Sequence, residues 1–195
     1  MLIDHFHNQN KTYKPYTEEL RSVLNLKNTR EAFDEIISWK GYEVTPLLSL
    51  EEIASKINVK KIYYKDESSR FGLGSFKALG GTYGVLKFLH DMLKKEIGSK
   101  VSLEDIRNGK YRKIVSKYTV ATATDGNHGR SVAFGANLFG CKCQIYVHSE
   151  VSKGRQEAME RLNANVIRVN GNYDESVNIC KSESNLNNWH IISDT

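Results

Sequence analysis

A lysine that follows a glycine-rich loop is the first candidate for chemistry in this chain. Lys77 ends the run R-F-G-L-G-S-F-K and opens a segment whose apolar residues recur at helical spacing. The run predicts a helix with Ser75 as N-cap and Lys77 in the first turn, where the helix dipole and burial favour a neutral amine. A neutral amine can attack a carbonyl group, and Gly72 and Gly74 would let the loop approach a ligand closely. The same spacing also fits a surface lysine after an ordinary turn.

Two common phosphate-binding patterns do not explain this loop. No glycine directly precedes Lys77, as a Walker loop requires. Lys77 also occupies the place of the third glycine in a dinucleotide-binding loop, so that pattern fails too.

The second candidate is the loop T-A-T-D-G-N-H-G-R at residues 122–130, between a predicted strand and a predicted helix. Asp125 has the chemistry of a general base. His128 could titrate near neutral pH, but we interpret it as structural or supporting. The loop equally fits a structural turn in which Asn or Asp caps the next helix.

The third candidate is Asp194, in the stretch W-H-I-I-S-D-T that ends the sequence. A carboxylate directly after a strand of an open α/β sheet lies where such sheets bind ligands. It also fits a turn residue or a frayed terminus.

The elements that must position these residues alternate along the second half of the chain. Strands are predicted at 118–123, 143–148, 165–169 and 189–192, and helices at 127–139, 153–162 and 173–184. This alternation predicts βαβ units and a parallel sheet. Upstream, we expect an extended arm or a partner contact over residues 1–30. We also expect short helices at 31–39 and 50–57, a strand at 62–64 and a helix capped by Ser102.

The composition is that of an ordinary globular protein. The chain has 195 residues, is 39% hydrophobic and 26% charged, and carries a net charge of +5. The basic residues are mixed with acidic ones, so no nucleic-acid partner is predicted. We find no signal peptide and no run of about 18 apolar residues, and therefore predict a cytoplasmic protein without a membrane partner. Three cysteines fit free thiols, and no metal site is predicted.

The motifs together resemble the fold-type-II enzymes that use pyridoxal 5′-phosphate (PLP). The stretch K-D-E-S-S-R-F-G-L-G-S-F-K-A-L-G-G and the loop T-D-G-N-H-G-R have the form found in diaminopropionate ammonia-lyases. The resemblance runs from about Tyr42 to Thr195. It implies a three-layer α/β architecture with a parallel sheet. It also implies that Lys77 binds PLP covalently, that Asn127 hydrogen-bonds the cofactor, and that Phe76 and Gly126 contact it.

The same resemblance implies an activity. The reaction would be α,β-elimination of 2,3-diaminopropionate to pyruvate and ammonia, with Asp125 as the base for the D isomer and Asp194 for the L isomer. The alternatives are a threonine or serine dehydratase, which usually has serine in place of Asp125, and a non-catalytic remnant.

The resemblance also sets expectations about organisation. We expect an N-terminal arm at 1–40, part of a large PLP-binding domain at 41–90 and 189–195, and a small domain at 91–188. The family's phosphate-binding glycine loop has no counterpart here, so this stretch is expected to be a fragment that is inactive alone. The full-length protein would be a homodimer with a small amino acid as its substrate.

Overall fold

The computed structural model describes residues 8–10, 14–98 and 100–194, so expectations for residues 1–7, 11–13, 99 and 195 lie outside the described residues. The first part contains α1 (Glu18–Val23), α2 (Leu26–Ile37), β1 (Leu47–Ser49), α3 (Glu51–Lys56), β2 (Tyr63–Lys65), α4 (Lys77–Ile97), α5 (Leu103–Arg107) and α6 (Arg112–Val115). The second part alternates: β3 (Thr119–Ala123), α7 (Asn127–Phe139), β4 (Lys142–Val147), α8 (Lys153–Glu160), β5 (Asn165–Arg168), α9 (Tyr173–Asn187) and β6 (His190–Ile191).

Strands β3 to β6 form one parallel sheet in the order β5-β4-β3-β6. Val120 of β3 pairs with Cys143 of β4 on one side and with His190 of β6 on the other. Residues 119–122 of β3 are all buried, as expected for a parallel strand covered on both faces. The predicted α/β fold with a parallel sheet is therefore confirmed, and β1 and β2 form a separate antiparallel pair.

Helices cover both faces of this sheet. On one face, α4 and α7 enclose the main apolar core, which includes Leu86, Leu89, Phe139 and Ile145. On the other face, α9 covers a smaller cluster of Ala121, Tyr146, Val169 and Cys180. This three-layer arrangement places the first turns of α4 and α7 beside the carboxyl ends of β3 and β6.

The contact between α4 and α7 is unusually close because small residues line it. Ser131 of α7 donates a hydrogen bond to the carbonyl oxygen of Lys77 (2.6 Å) and accepts one from the backbone N–H of Thr82 (3.0 Å). A methyl group added at Gly81 would lie 2.5 Å from Ser131 Oγ, and one at Gly135 would lie 3.0 Å from Thr82 Cα. The two helices therefore pack with almost no space between their backbones.

The N-terminal region departs from the prediction. The extended arm expected over residues 1–30 is wrong for residues 18–30, because α1 and the start of α2 lie there. The side chains of Thr17 and Asn25 accept hydrogen bonds from the first turns of these helices. Trp39, just beyond α2, is buried in the main core.

Other boundaries shift by a few residues. The N-cap position of α4 is Phe76 rather than Ser75, although Ser75 Oγ accepts the N–H of Lys77 (3.2 Å). Helix α9 continues to Asn187, and the predicted cap at Ser102 is confirmed. The expected domain boundaries at 90/91 and 188/189 fall inside α4 and just before β6, which pairs with β3. That domain division stays a prediction.

The described residues contain no disulfide, no cluster of metal-ligating side chains and no helix suited to crossing a membrane. Cys141, Cys143 and Cys180 form no disulfide, and burial raises the pKa of the Cys141 thiol to about 12. Among the described residues, no group of three or more His, Cys, Asp or Glu side chains is placed to hold a metal ion. Across the same residues, none of the helices combines the length and apolarity needed to cross a bilayer.

A pair of adjacent glycines tests the close packing of α4 on α7. We expect Gly81→Ala to lower the free energy of unfolding by about 1–3 kcal/mol, because the new methyl group overlaps Ser131. Gly80→Ala is the matched control: nothing lies within 4 Å of its added methyl group, and alanine favours the helix by up to about 1 kcal/mol. Urea denaturation of both variants measures the difference, and equal stabilities would contradict the packing described here.

Candidate active site

The predicted site residues meet at one cavity of about 390 Å³ at the carboxyl end of the sheet. Its lining comprises Lys77, Thr124, Asp125, Gly126, Asn127, His128, Arg155, Tyr173 and Asp194. Phe76 does not line it; with Lys77, His128 and Asp194 it lines an adjoining cavity of about 590 Å³. Five of the six predicted residues therefore line this cavity, and the sixth, Phe76, lines the adjoining one.

Lys77 and Asp194 form an ion pair at this cavity, although their positions in the sequence differ by 117. The lysine side chain is 38% exposed, so the expectation of a buried amine is wrong. Partial burial acts to raise the pKa of Asp194, but the hydrogen bond from Lys77 and the charges of His128 and Lys77 outweigh it. The pKa of Asp194 therefore lies below its usual range, and the carboxylate is ionised at neutral pH.

The loop that precedes Lys77 is held in place by the buried side chain of Arg70. Arg70 donates to both carboxylate oxygens of Glu67 (2.7 and 3.0 Å), to the Glu43 carbonyl (2.7 Å) and to the Thr45 hydroxyl (3.1 Å). Hydrogen bonding from Arg70 lowers the pKa of Glu67 to about 2, against a smaller opposing effect of burial. These bonds fasten residues 66–72 to the segment before β1.

Aromatic packing fixes the same loop. Phe71 has a left-handed backbone (φ 48°), which non-glycine residues rarely adopt. Its ring centroid lies 5.9 Å from that of Trp39, 6.4 Å from that of Tyr42 and 6.0 Å from that of Phe134. Gly72 and Gly74 also have positive φ (70° and 69°), so the turn expected from these glycines is confirmed.

The second loop is ordered by side chains at both of its ends. The Thr124 hydroxyl accepts the backbone N–H groups of Gly126 (3.0 Å) and Gly129 (3.1 Å), which shapes the turn into α7. Asn127 is the first residue of α7. His128 is buried, with Nε2 2.8 Å from the Ile192 carbonyl and Nδ1 3.8 Å from the Asp194 carboxylate. His128 thus joins the loop to the strand that carries Asp194.

Asp125 lies on the opposite side of the loop, towards β4 and α8. Its side chain is 65% exposed, and Oδ1 lies 3.1 Å from Nε2 of His148. Its carbonyl accepts a hydrogen bond from Arg155 (3.3 Å), whose side chain also lies against Gly126. The two aspartates therefore flank the cavity from different strands, each beside its own histidine.

Sequence reasoning assigned no role to three residues of this cavity, although one of them, Thr124, lies in the candidate loop at 122–130. Arg155 and Tyr173 come from the first turns of α8 and α9, and Thr124 directly follows β3. Both helices begin at the carboxyl edge of the parallel sheet, where ligand sites form. That rule could have found them, because the strands and helices themselves were predicted.

The fold and the arrangement of lysine, asparagine and carboxylates define a PLP enzyme of fold type II. Residues 39–195 match the family described as "Pyridoxal-phosphate dependent enzyme", and the chain belongs to that family. The amine of Lys77, the residue Asn127 and the N-terminal turn of α7 line one cavity, and this donor set suits an aldehyde cofactor with polar ring substituents.

Among its relatives, the diaminopropionate ammonia-lyase of Escherichia coli strain K12 is 37% identical over 186 residues, 95% of this chain and 45% of that protein. A probable D-serine dehydratase of Rhizobium etli is 30% identical over 155 residues, 75% of this chain and 34% of that protein. The crystal structure of the holo E. coli diaminopropionate ammonia-lyase aligns with a TM-score of 0.76 at 36% identity, covering 87% of this chain and 42% of that one. This chain spans less than half the length of these relatives.

Acid titration tests the ion pair that fastens the lysine loop. The pKa of Glu67 is about 2 in the folded chain and near 4.5 when unfolded. Its stabilising contribution is therefore complete above about pH 4.5 and is lost as the pH falls towards 2. We expect Glu67→Gln to cost about 3 kcal/mol at neutral pH and to flatten the loss of stability below pH 4.5.

The matched control for this experiment is Glu43→Gln. The Glu43 side chain is exposed, and its contact with Arg70 uses the backbone carbonyl, which the substitution keeps. Unfolding free energies measured between pH 7 and pH 3 should separate the two variants. The assignment fails if both variants lose stability with the same pH dependence.

Proposed function

We propose that this chain forms the lysine-bearing part of a PLP-dependent ammonia-lyase that eliminates ammonia from 2,3-diaminopropionate. The observation that carries the proposal is the meeting of Lys77, Asp125 and Asp194 at one cavity. The likeness to diaminopropionate ammonia-lyases over 95% of the chain supports the choice of substrate.

The cofactor and the chain have separate tasks in this proposal. When bound, PLP withdraws the electron pair left at the substrate's α-carbon. Lys77 holds the cofactor through its amine, and Asn127 donates a hydrogen bond to an oxygen on the ring. Gly126 and Phe76 contact the cofactor from the two neighbouring cavities that Lys77 joins.

The two carboxylates act as bases on opposite sides of the substrate. Asp194, ionised beside Lys77, takes the α-proton of the L isomer, and Asp125 takes that of the D isomer. Once the substrate's α-amino group has replaced Lys77 on the cofactor, the freed lysine amine would carry a proton to the departing β-amino group, which leaves as ammonia. The released product, aminoacrylate, then hydrolyses in water to pyruvate and a second ammonia.

A dehydratase acting on D-serine is the second candidate. A probable D-serine dehydratase is 30% identical over three quarters of the chain, and the E. coli diaminopropionate ammonia-lyase has been crystallised in complex with D-serine. The same residues would serve, with hydroxide rather than ammonia leaving. Product release from D-serine and from 2,3-diaminopropionate, compared at equal concentrations, separates the two.

Three finer points belong to this proposal. The chain is expected to be inactive alone because its relatives are more than twice as long. We infer a homodimeric full-length protein in the cytoplasm. Activity is therefore best assayed in the longest in-frame product that contains these residues, alongside the 195-residue chain.

The covalent role of Lys77 can be tested in the longest in-frame product that contains these residues. After incubation with PLP and borohydride reduction, we expect the peptide containing Lys77 to carry the added cofactor mass, because reduction fixes the bond to the amine. Lys77→Ala should abolish this label, and Lys94→Ala, at an exposed position of the same helix, should keep it. Labelling that persists unchanged in Lys77→Ala would refute the assignment.

The two-base arrangement predicts a difference between enantiomers. Asp125→Asn should lower pyruvate release from the D isomer by about 10²-fold or more and leave the L isomer much less affected, because the amide keeps the shape but cannot accept the proton. Asp194→Asn should give the reverse pattern. The measurement is pyruvate release from each pure enantiomer, and equal losses from both would rule out the scheme.

A further inference from the structure

The carboxylate of Asp125 needs a partner to do the work proposed for it. Its side chain is 65% exposed and lies directly before Gly126, whose φ is 153°, so little packing restricts its rotation. A base is effective only when it is held within hydrogen-bonding reach of the proton it takes. Whatever fixes the rotation of Asp125 therefore controls its use.

His148 is placed to fix it. This residue directly follows β4, the neighbour of β3 in the sheet, so its side chain reaches the loop that follows β3. Its side chain is only 17% exposed, and Nε2 lies 3.1 Å from Asp125 Oδ1. Arg168 donates to the carbonyl oxygens of His148 (3.3 Å) and Ser149 (2.7 Å), which holds the backbone of this turn.

The backbone also determines which ring nitrogen carries the proton. The N–H of Glu150 donates a hydrogen bond to Nδ1 of His148 (3.3 Å). An amide N–H can only donate, so Nδ1 carries no proton and the neutral ring has its proton on Nε2. The nitrogen that faces Asp125 is therefore a donor.

We propose that His148 is the positioning residue for Asp125: the proton on Nε2, the nitrogen that lies 3.1 Å from Oδ1, attracts the carboxylate and keeps it at the cavity that Asp125 lines. One oxygen of Asp125 is engaged by His148, which leaves the other free to accept a proton from a substrate. The effect on proton removal from the D isomer rests on the function proposed above. The contact between His148 and Asp125 does not depend on that function. Asp194 has a separate set of partners, Lys77 and His128, so the effect is confined to one face.

The contact can be tested without cofactor or activity. In the ¹⁵N-labelled chain at about pH 8, above the usual pKa of histidine near 6.5, long-range ¹H–¹⁵N spectra of the imidazole report the tautomer. We expect Nε2 to be the protonated nitrogen of His148, and Asp125→Ala to shift its resonance. A proton on Nδ1, or a resonance unchanged in Asp125→Ala, would overturn the proposal.

The catalytic consequence is measured in the longest in-frame product loaded with PLP. His148→Ala should lower kcat for the D isomer by up to about 10²-fold, the order of effect of displacing a reacting group by 1 Å, with KM little changed. His148→Gln keeps an N–H donor and should restore most of that loss. Turnover of the L isomer should change less than twofold in both variants.

The possible failures are distinguishable. Equal losses for both enantiomers, or no recovery in His148→Gln, would show that His148 is merely structural and would overturn the positioning role. If Lys77 takes no label from PLP, the proposed function fails, and the spectra still decide whether His148 holds Asp125. Thermal unfolding of both His148 variants identifies any loss that comes from instability.

Discussion

The hydrogen bond from Ser131 to the backbone carbonyl of Lys77 is the contact on which the site depends. It joins the first turn of α4 to α7, whose own first residue is Asn127. Because Gly81 and Gly135 leave no room between the helices, neither helix can slide without breaking buried contacts. The distance between the lysine and the 124–128 loop is therefore set by core packing rather than by the loops.

Electrostatics divides the site into two halves on either side of β3. On the β6 side, Asp194 is paired with Lys77 and lies near the buried His128. On the β4 side, Asp125 is more exposed and has His148 and Arg155 as neighbours. Asp125 follows β3 and Asp194 follows β6, and these parallel strands end at the same edge of the sheet. Two carboxylates of similar intrinsic acidity thus lie at one edge but have different surroundings.

Much of this could be predicted from sequence because the signals were local. Helix α7 was predicted at the bounds the structure gives, and apolar runs between polar turns identified the parallel strands. The edge rule for such sheets indicated a ligand site near Asp194, and the resemblance supplied the cofactor and the joint role of Asp125 and Asp194. The pairing of Lys77 with Asp194 could not be foreseen, since it joins positions 117 residues apart. His148 belongs to no motif recognised in the sequence. The exposure of the Lys77 amine depends on how the elements pack, which a local pattern does not show.

The conformation of Phe71 has a consequence for affinity. Its left-handed backbone costs on the order of 1–3 kcal/mol, and packing against the rings of Trp39, Tyr42 and Phe134 offsets that cost. The turn that contains Phe71, Gly72 and Gly74 and precedes Lys77 is consequently rigid. A ligand held by Lys77 therefore need not order the segment that precedes this lysine, and less of its binding free energy is lost.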